Sequence, residues 1–267
     1  MSEPTETRTY GRRFGALFAA GLVGILALIP TLPEMLRAAP IPAEAREVLP
    51  PMPVMVLLSL IQPTLLMAGA VALGLALAPR LGLRSHLAES AAGEAPGLRA
   101  LRSELPAAVA LGLAADLLVV GLELAVFRPW MGEAGRALSE GGERTLTVTL
   151  AGVLYGGITE ELMMRWGVMS LLAWAAWKLF RRGRGEPGAA VMWTAILLAA
   201  VLFGAGHLGA VSAVAPLTAA VVTRTVVLNA IAGIAFGWLF WRRSLEAAMV
   251  AHMSGHVVFT LASWALA

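Results

Sequence analysis

Eight polar side chains in this sequence sit among apolar neighbours, where lipid or a greasy core would penalise them: Glu160, Glu161, Arg165, His207, Arg224, Asn229, His252 and His256. At a helix centre in a bilayer each charge costs about 2.5 to 3.5 kcal/mol, so Glu160, Glu161 and Arg165 together cost on the order of 8 kcal/mol. Something must offset that. Hydrolysis needs a water deprotonated, an oxyanion met by fixed donors and a leaving group protonated, and one glutamate with two or three histidines can supply all three.

Spacing sorts these residues. Glu161 and Arg165 are four apart with the acid first, the favourable order for a pair along one helix face, and this pair is explained by structure alone. Glu160 points about 100° away from its neighbour on an α-helix and needs its own reason. Burial raises the pKa of such a carboxyl, while a nearby imidazolium or wet cavity keeps it ionised enough to act as a base. His252 and His256 share a face at i,i+4 and can reach one water, carbonyl oxygen or ligand. The segment from His252 to His256 lacks the glutamate that a zincin helix places after its first histidine, so it is not a zincin signature. Phe203 lies four before His207 and can pack beside its ring. Arg224 reads as a snorkelling or structural side chain, with a place on a substrate path as the alternative, and Asn229 as an interhelical hydrogen bonder next to the small face of Gly233 and Gly237.

These residues must be positioned by an all-α, polytopic membrane bundle. Apolar residues make up 58% of the 267-residue chain and charged ones only 14%, with a mean hydropathy of +0.77, more apolar surface than a soluble fold can cover. Cysteine is absent, which excludes disulfides, thiolate ligands and a cysteine nucleophile. The net charge of +3 comes from arginines between apolar runs and a single lysine, Lys178, a pattern of topology and headgroup contact with no nucleic-acid stripe. Seven runs reach bilayer length: Phe14 to Leu36, Val54 to Ala78, Leu105 to Phe127, Leu146 to Phe180, Ala189 to Leu208, Val211 to Trp241 and Leu245 to Ala267. The fourth and sixth are long enough to be broken near Gly167 or Pro216, which makes eight helices the alternative count. Alternation of the barrel type is missing.

Arg12 and Arg13 precede the first run, whose length exceeds a signal-peptide core and predicts an uncleaved first helix. With the amino terminus inside, thirteen Arg or Lys between Arg8 and Arg243 fall on inner segments against five outside (Arg37, Arg46, Arg128, Arg136 and Arg144), so the positive-inside rule predicts a cytoplasmic amino terminus in a cell (inner or plasma) membrane. Residues 1–13 then form a cytoplasmic tail, 14–144 the first transmembrane helices with their loops, and 145–267 the catalytic core. Pro79 to Glu104 reads as a polar connector in which His86 is solvated. Trp174 and Trp177 beside Lys178 read as interface anchors. At 1.5 Å per residue Glu160 lies about 21 Å in from Leu146 at the outer face, hence roughly 9 Å from the inner face of a core about 30 Å thick, and His252 about 10 Å in from Leu245, depths that agree. His207, about 27 Å from Ala189, does not match them unless its helix begins outside the hydrocarbon.

The ordered set Glu160-Glu161-x-x-x-Arg165, Phe203-x-x-x-His207 and His252 four before His256 resembles the CPBP family of intramembrane proteases, which includes the CAAX-prenyl endopeptidases related to Rce1 and the Abi proteins. The resemblance runs from about Leu146 to the end. It implies that Glu160 is the general base, His207 its partner on the water and His252 an oxyanion stabiliser, with Glu161 and Arg165 bracing the site. The family's last motif usually ends in Asn, where this chain has His256, an imidazole that can donate or ligate. The resemblance requires no cofactor. If a divalent metal such as zinc is bound, its ligand candidates are Glu160, His207, His252 and His256. The expected partners are the lipid bilayer and a membrane-embedded or lipid-anchored protein or peptide, with no nucleic acid. The expected reaction is cleavage of CAAX-type ends or of carboxyl-terminal sorting anchors. The contrasting readings are a non-catalytic immunity or scaffold protein and a transporter.

Overall fold

The computed structural model describes residues 3–39, 41, 47–133, 135, 138 and 144–266, with helices and no strands among them. Arg46 and Arg136 of the orientation count lie outside these residues. The helices, in chain order, are α1 (Glu3–Ala27), α2 (Leu32–Ala38), α3 (Met52–Leu77), α4 (His86–Ala92), α5 (Leu101–Leu122, prolonged to Met131), α6 (residues 146–181), α7 (Ala189–Gly206), α8 (Leu208–Ser212), α9 (Ala219–Arg242) and α10 (Leu245–Leu266).

Five helices are long and apolar enough to cross a membrane, α3, α5, α7 with α8, α9 and α10, and the pair α1 and α2 makes six if taken as one bent span. The seven sequence runs map onto these and α6. That helix has the length, but Glu160, Glu161 and Arg165 at its middle keep it out of the apolar count. The first run does not form one rod. It bends by 56° between Ala27 and Leu32, where Pro30 and Pro33 remove backbone donors and restrict the residues before them. The sixth run breaks beside Pro216: α8 ends at Ser212 and α9 starts anew at Ala219, capped by Thr218, whose hydroxyl accepts from the Val221 amide at 3.3 Å. At Gly167, by contrast, α6 continues.

Lipid-type exposure and burial divide the helices. Leu57, Leu58, Leu65 and Leu66 of α3 are exposed, and only 17% of its apolar window is buried, against 56% in α10. The last helix is therefore the centre, and the others pack around it. Glycines set the close approaches: a Cβ on Gly112 of α5 would strike the Ala251 backbone at 2.5 Å, and one on Gly204 of α7 would strike the Val226 carbonyl oxygen at 2.7 Å. On α9, Gly233 faces Ala200 and Gly237 faces Ile196, as the small-residue face predicts. Asn229 differs from expectation, because its amide donates to the Thr225 carbonyl one turn back at 2.8 Å and satisfies itself within α9. Arg224 does not snorkel: its Nε lies 2.9 Å from Glu123 on α5, since an intramembrane carboxylate is a better partner than a distant headgroup.

The connector before α5 is ordered, and His86 is fully buried rather than solvated. Its Nδ1 lies 3.3 Å from Glu89 and its Nε2 3.2 Å from Glu104. Glu246, at the start of α10, accepts from Ser85 at 2.6 Å and from the amides of His86 and Leu87 at 2.9 and 3.0 Å. A carboxylate on the opening amides of α4 is the preferred charge there.

Candidate active site

The site is built on α6, which changes its winding where the charges sit. After one α-helical turn capped by Thr145, residues Gly152–Glu160 and Leu162–Met169 adopt the wide π form, and α-helix resumes at Ser170. Its i→i+5 bonding brings residues five apart toward one face. Tyr155, Glu160 and Arg165 follow that spacing, and Glu160 is within electrostatic reach of both of the others. The wide turn is held from outside. Thr159 donates to the Gly21 carbonyl of α1 at 2.7 Å, and the Trp166 indole donates to Val71 of α3 at 3.3 Å.

Glu161 and Arg165 form the expected pair, with Arg165 Nη1 3.0 Å from Glu161 Oε1 and both side chains buried. The guanidinium also donates to the Gly233 carbonyl of α9 at 3.2 Å and lies over Phe203 and Phe236, 4.8 and 5.4 Å from their ring centres. Cation–π contact and a carbonyl acceptor help to meet the desolvation cost of a buried charge. The same Oε1 lies 2.8 Å from His252 Nδ1. Because a guanidinium sits on that oxygen, it is an acceptor, so Nδ1 carries the hydrogen and a neutral His252 presents a lone pair at Nε2.

His207 is the C-cap residue of α7. Its Nδ1 lies 2.8 Å from the Phe203 carbonyl, which fixes the same tautomer and leaves Nε2 for a reactant. The Phe203 ring meets His207 edge-on at 4.7 Å and His252 edge-on at 5.8 Å, so one phenyl spaces both imidazoles. Part of the depth mismatch of His207 is accounted for at the far end of α7. Trp193 contacts Trp241 of α9 at 6.1 Å, so the first turn of α7 projects past the level at which α10 begins. Glu160, partly buried, takes no hydrogen bond or ion pair from the described residues, while its charge and that of His207 both reach His252.

His256 stacks on His252 at 5.1 Å, and His252 stacks in turn on Phe236 at 4.7 Å. Neither ring nitrogen of His256 has a hydrogen-bond partner. The reason is on α6: a Cβ on Gly152 would lie 2.5 Å from His256 Nδ1, and a Cβ on Gly156 would meet His256 Nε2 and lie 3.3 Å from His252 Nε2. The missing side chain at Gly156 thus lets both imidazoles close on α6, with their Nε2 atoms converging there.

Among the described residues no three His, Asp or Glu side chains converge as a metal site. With His256 directed at glycines, the set Glu160, His207, His252 and His256 does not fit a metal ion in this arrangement. Four further residues belong to the site or its support and escaped the sequence reading: Tyr155, Gly156, Phe236 and Asp116. Tyr155 is visible only once the five-residue period is known. Gly156 and Phe236 carry no sequence signal of their own. Asp116 on α5 is 1% exposed, its Oδ2 lacks a partner, and it faces Gly255 between the two histidines of α10. A scan of the third run for charge would have found it, together with Glu123.

Residues 142–258 match the family model described as type II CAAX prenyl endopeptidase, Rce1-like. Comparisons with curated proteins and with solved structures return no match. The matched stretch holds every side chain of the cluster that α6, α7, α9 and α10 bring together. Over residues 142–258 this integral membrane protein is similar to the Rce1-like type II CAAX prenyl endopeptidases, which supports its resemblance to the CPBP family.

Proposed function

We propose that this protein is a glutamate-dependent intramembrane endopeptidase that cleaves a membrane-associated peptide near its carboxyl end, in the CAAX or sorting-anchor manner. The observation that carries the reading is a carboxylate, Glu160, that has no hydrogen bond or ion pair among the described residues and whose charge reaches His252, while His252 and His207 are both engaged at Nδ1 by acceptors. Water held between Glu160 and His207 Nε2 loses a proton to Glu160 and attacks the scissile carbonyl carbon. The carbonyl oxygen approaches the Nε2 atoms that converge at Gly156. There His256 donates through the nitrogen that carries its hydrogen, and His252 donates when protonated, a charge that Glu161 supports at Nδ1. The Glu160 proton then passes to the leaving amine, which balances the step.

The supporting arrangement follows from the same cluster. Residues 145–267 carry the chemistry, 1–13 form a cytoplasmic tail, 14–144 supply the first transmembrane helices and their loops, and α6 crosses the bilayer as a further span. The arginine distribution supports an amino terminus in the cytoplasm of a cell that holds the protein in its inner or plasma membrane. Glu160→Gln is expected to lower cleavage about 10²- to 10⁴-fold with an unchanged melting profile. Comparison of membrane proteomes containing the wild type or this variant should show at least one substrate whose processing disappears. A scaffold or transporter would keep its activity in the variant, and that result would overturn the protease reading.

A further inference from the structure

Arg144, the residue before the N-cap of α6, is a cation with no anion paired to it among the described residues. Its Nη1 is buried with no hydrogen-bond partner, and no carboxylate among the described residues pairs with it. Its position is nevertheless fixed. The Trp264 indole donates to its carbonyl at 3.0 Å, and the guanidinium lies 5.4 Å from the centre of the Phe259 ring. A zipper next to it, Thr149 with Thr260 at 2.9 Å, holds α6 against α10 at the same end. Stacking on one face leaves the planar fork of an arginine free for bidentate contact with a carboxylate or phosphate. The amides that open α6 add positive potential at that spot.

The line from this cation to the reacting centre is continuous. Phe259 meets His256 edge-on at 6.3 Å, and His256 stacks on His252 at 5.1 Å. The charge of Arg144 is felt at His256. Laid end to end, these contacts match an extended peptide of no more than about five residues at roughly 3.4 Å each. An anion at Arg144 therefore sits on the same short strand as a bond placed over Gly156.

We propose that Arg144 receives the free carboxylate at the end of the substrate chain and so confines cleavage to bonds within a few residues of that end. This rests on the protease reading above and adds to it a residue that measures the distance to the chain end. A lipid phosphate offers similar chemistry, and the test separates the two. The probe is a fluorescent six-residue apolar peptide with an amino-terminal lipid anchor, made with either a free carboxylate or a carboxamide end. It is bound to the Glu160→Gln protein in phosphatidylcholine nanodiscs, so binding is read without turnover. The carboxylate form is expected to bind about 30-fold or more tighter than the amide. In the Glu160→Gln, Arg144→Gln protein that preference vanishes, and with Arg144→Lys it partly returns. Equal binding of the two peptides, or a preference that survives Arg144→Gln, overturns the assignment. So does a binding gain that appears for both peptides alike only when phosphatidylglycerol is added, which would make the lipid the ligand. Cleavage of the same peptides with Glu160 intact is scored separately, so loss of the protease reading and loss of the Arg144 reading give different results.

Discussion

At the scale of single residues the site turns on one oxygen atom. Glu161 Oε1 takes both Arg165 and His252 in the dry interior, and removing one partner of such a group leaves an uncompensated buried charge or polar atom. Glu161→Gln and Arg165→Met are each expected to cost about 3 to 5 kcal/mol. The double change should cost less than their sum by about 1 to 3 kcal/mol. Thermal unfolding in detergent checks this, and strict additivity would refute the shared-oxygen arrangement. Gly156 gives a second expectation. Gly156→Ala sets a methyl where two Nε2 atoms converge, so turnover should fall more than substrate binding does, which kcat and KM measured separately would show. The Glu161 to Arg165 pair was legible in the sequence because both partners lie on one helix four apart. The bond from Glu161 to His252 was not, since it joins residues 91 apart in sequence. His86 was misjudged for the same reason. Its polar neighbourhood looked like a solvated loop, whereas its partners include Glu104 and the buried start of α10.

At the scale of helices, hydropathy located every long element and Pro216 located the break in the sixth run, whereas the bend of the first run at Pro30 went unread. Nor could hydropathy reveal the winding of α6. Periodicity arguments assume 3.6 residues per turn, and under that assumption Glu160 and Arg165 point apart. The π form depends on what grips α6 from outside, and those grips are glycine approaches and indole contacts that no single-helix pattern encodes. A Cβ on Gly74 of α3 would fall within the Trp166 ring, with Trp166 Cγ 2.6 Å away, whereas Gly69 of the same helix has nothing within 4 Å. Gly74→Ala should therefore destabilise by about 1 to 3 kcal/mol through overpacking. Gly69→Ala should be neutral, or stabilise by up to about 1 kcal/mol through helix propensity. Unfolding midpoints of the two variants in one detergent provide the comparison, and equal effects would mean that α3 does not clamp the π segment through Trp166.

At the scale of the whole molecule, the two halves of the chain are joined by a polar latch at the end of the bundle where α10 begins. Glu246 holds the opening amides of α4, Ser244 donates to Glu104, and the Leu245 amide donates to the Arg84 carbonyl at 3.1 Å. On the far side Arg13 of α1 pairs with Glu94. This latch sets the register of the helix that carries His252 and His256. Its exposed edge is Glu89, to which Arg84 donates through Nε and Nη2 at 3.0 and 2.9 Å. Burial disfavours the Glu89 charge, but hydrogen bonds from Arg84 and His86 and their charges outweigh it, leaving the carboxyl below its ordinary value of 4.5. A folded value below the unfolded one means that the stability from this group is complete above about pH 4.5 and is lost as pH falls through the folded value. Because Arg84 is 44% exposed, the effect is small, about 1 kcal/mol or less. Hydrogen exchange of the amides in residues 84–92, corrected for intrinsic rates, should accelerate as pH drops below about 4.5 while the membrane helices stay protected. Glu89→Gln should remove that acid dependence and leave the segment looser at every pH. Glu246→Ala, which deletes the acceptor for three donors, should free the segment even at neutral pH and lower turnover without touching the site, because α10 then loses its anchor. An unchanged exchange pattern in Glu246→Ala would show that packing alone fixes the last helix.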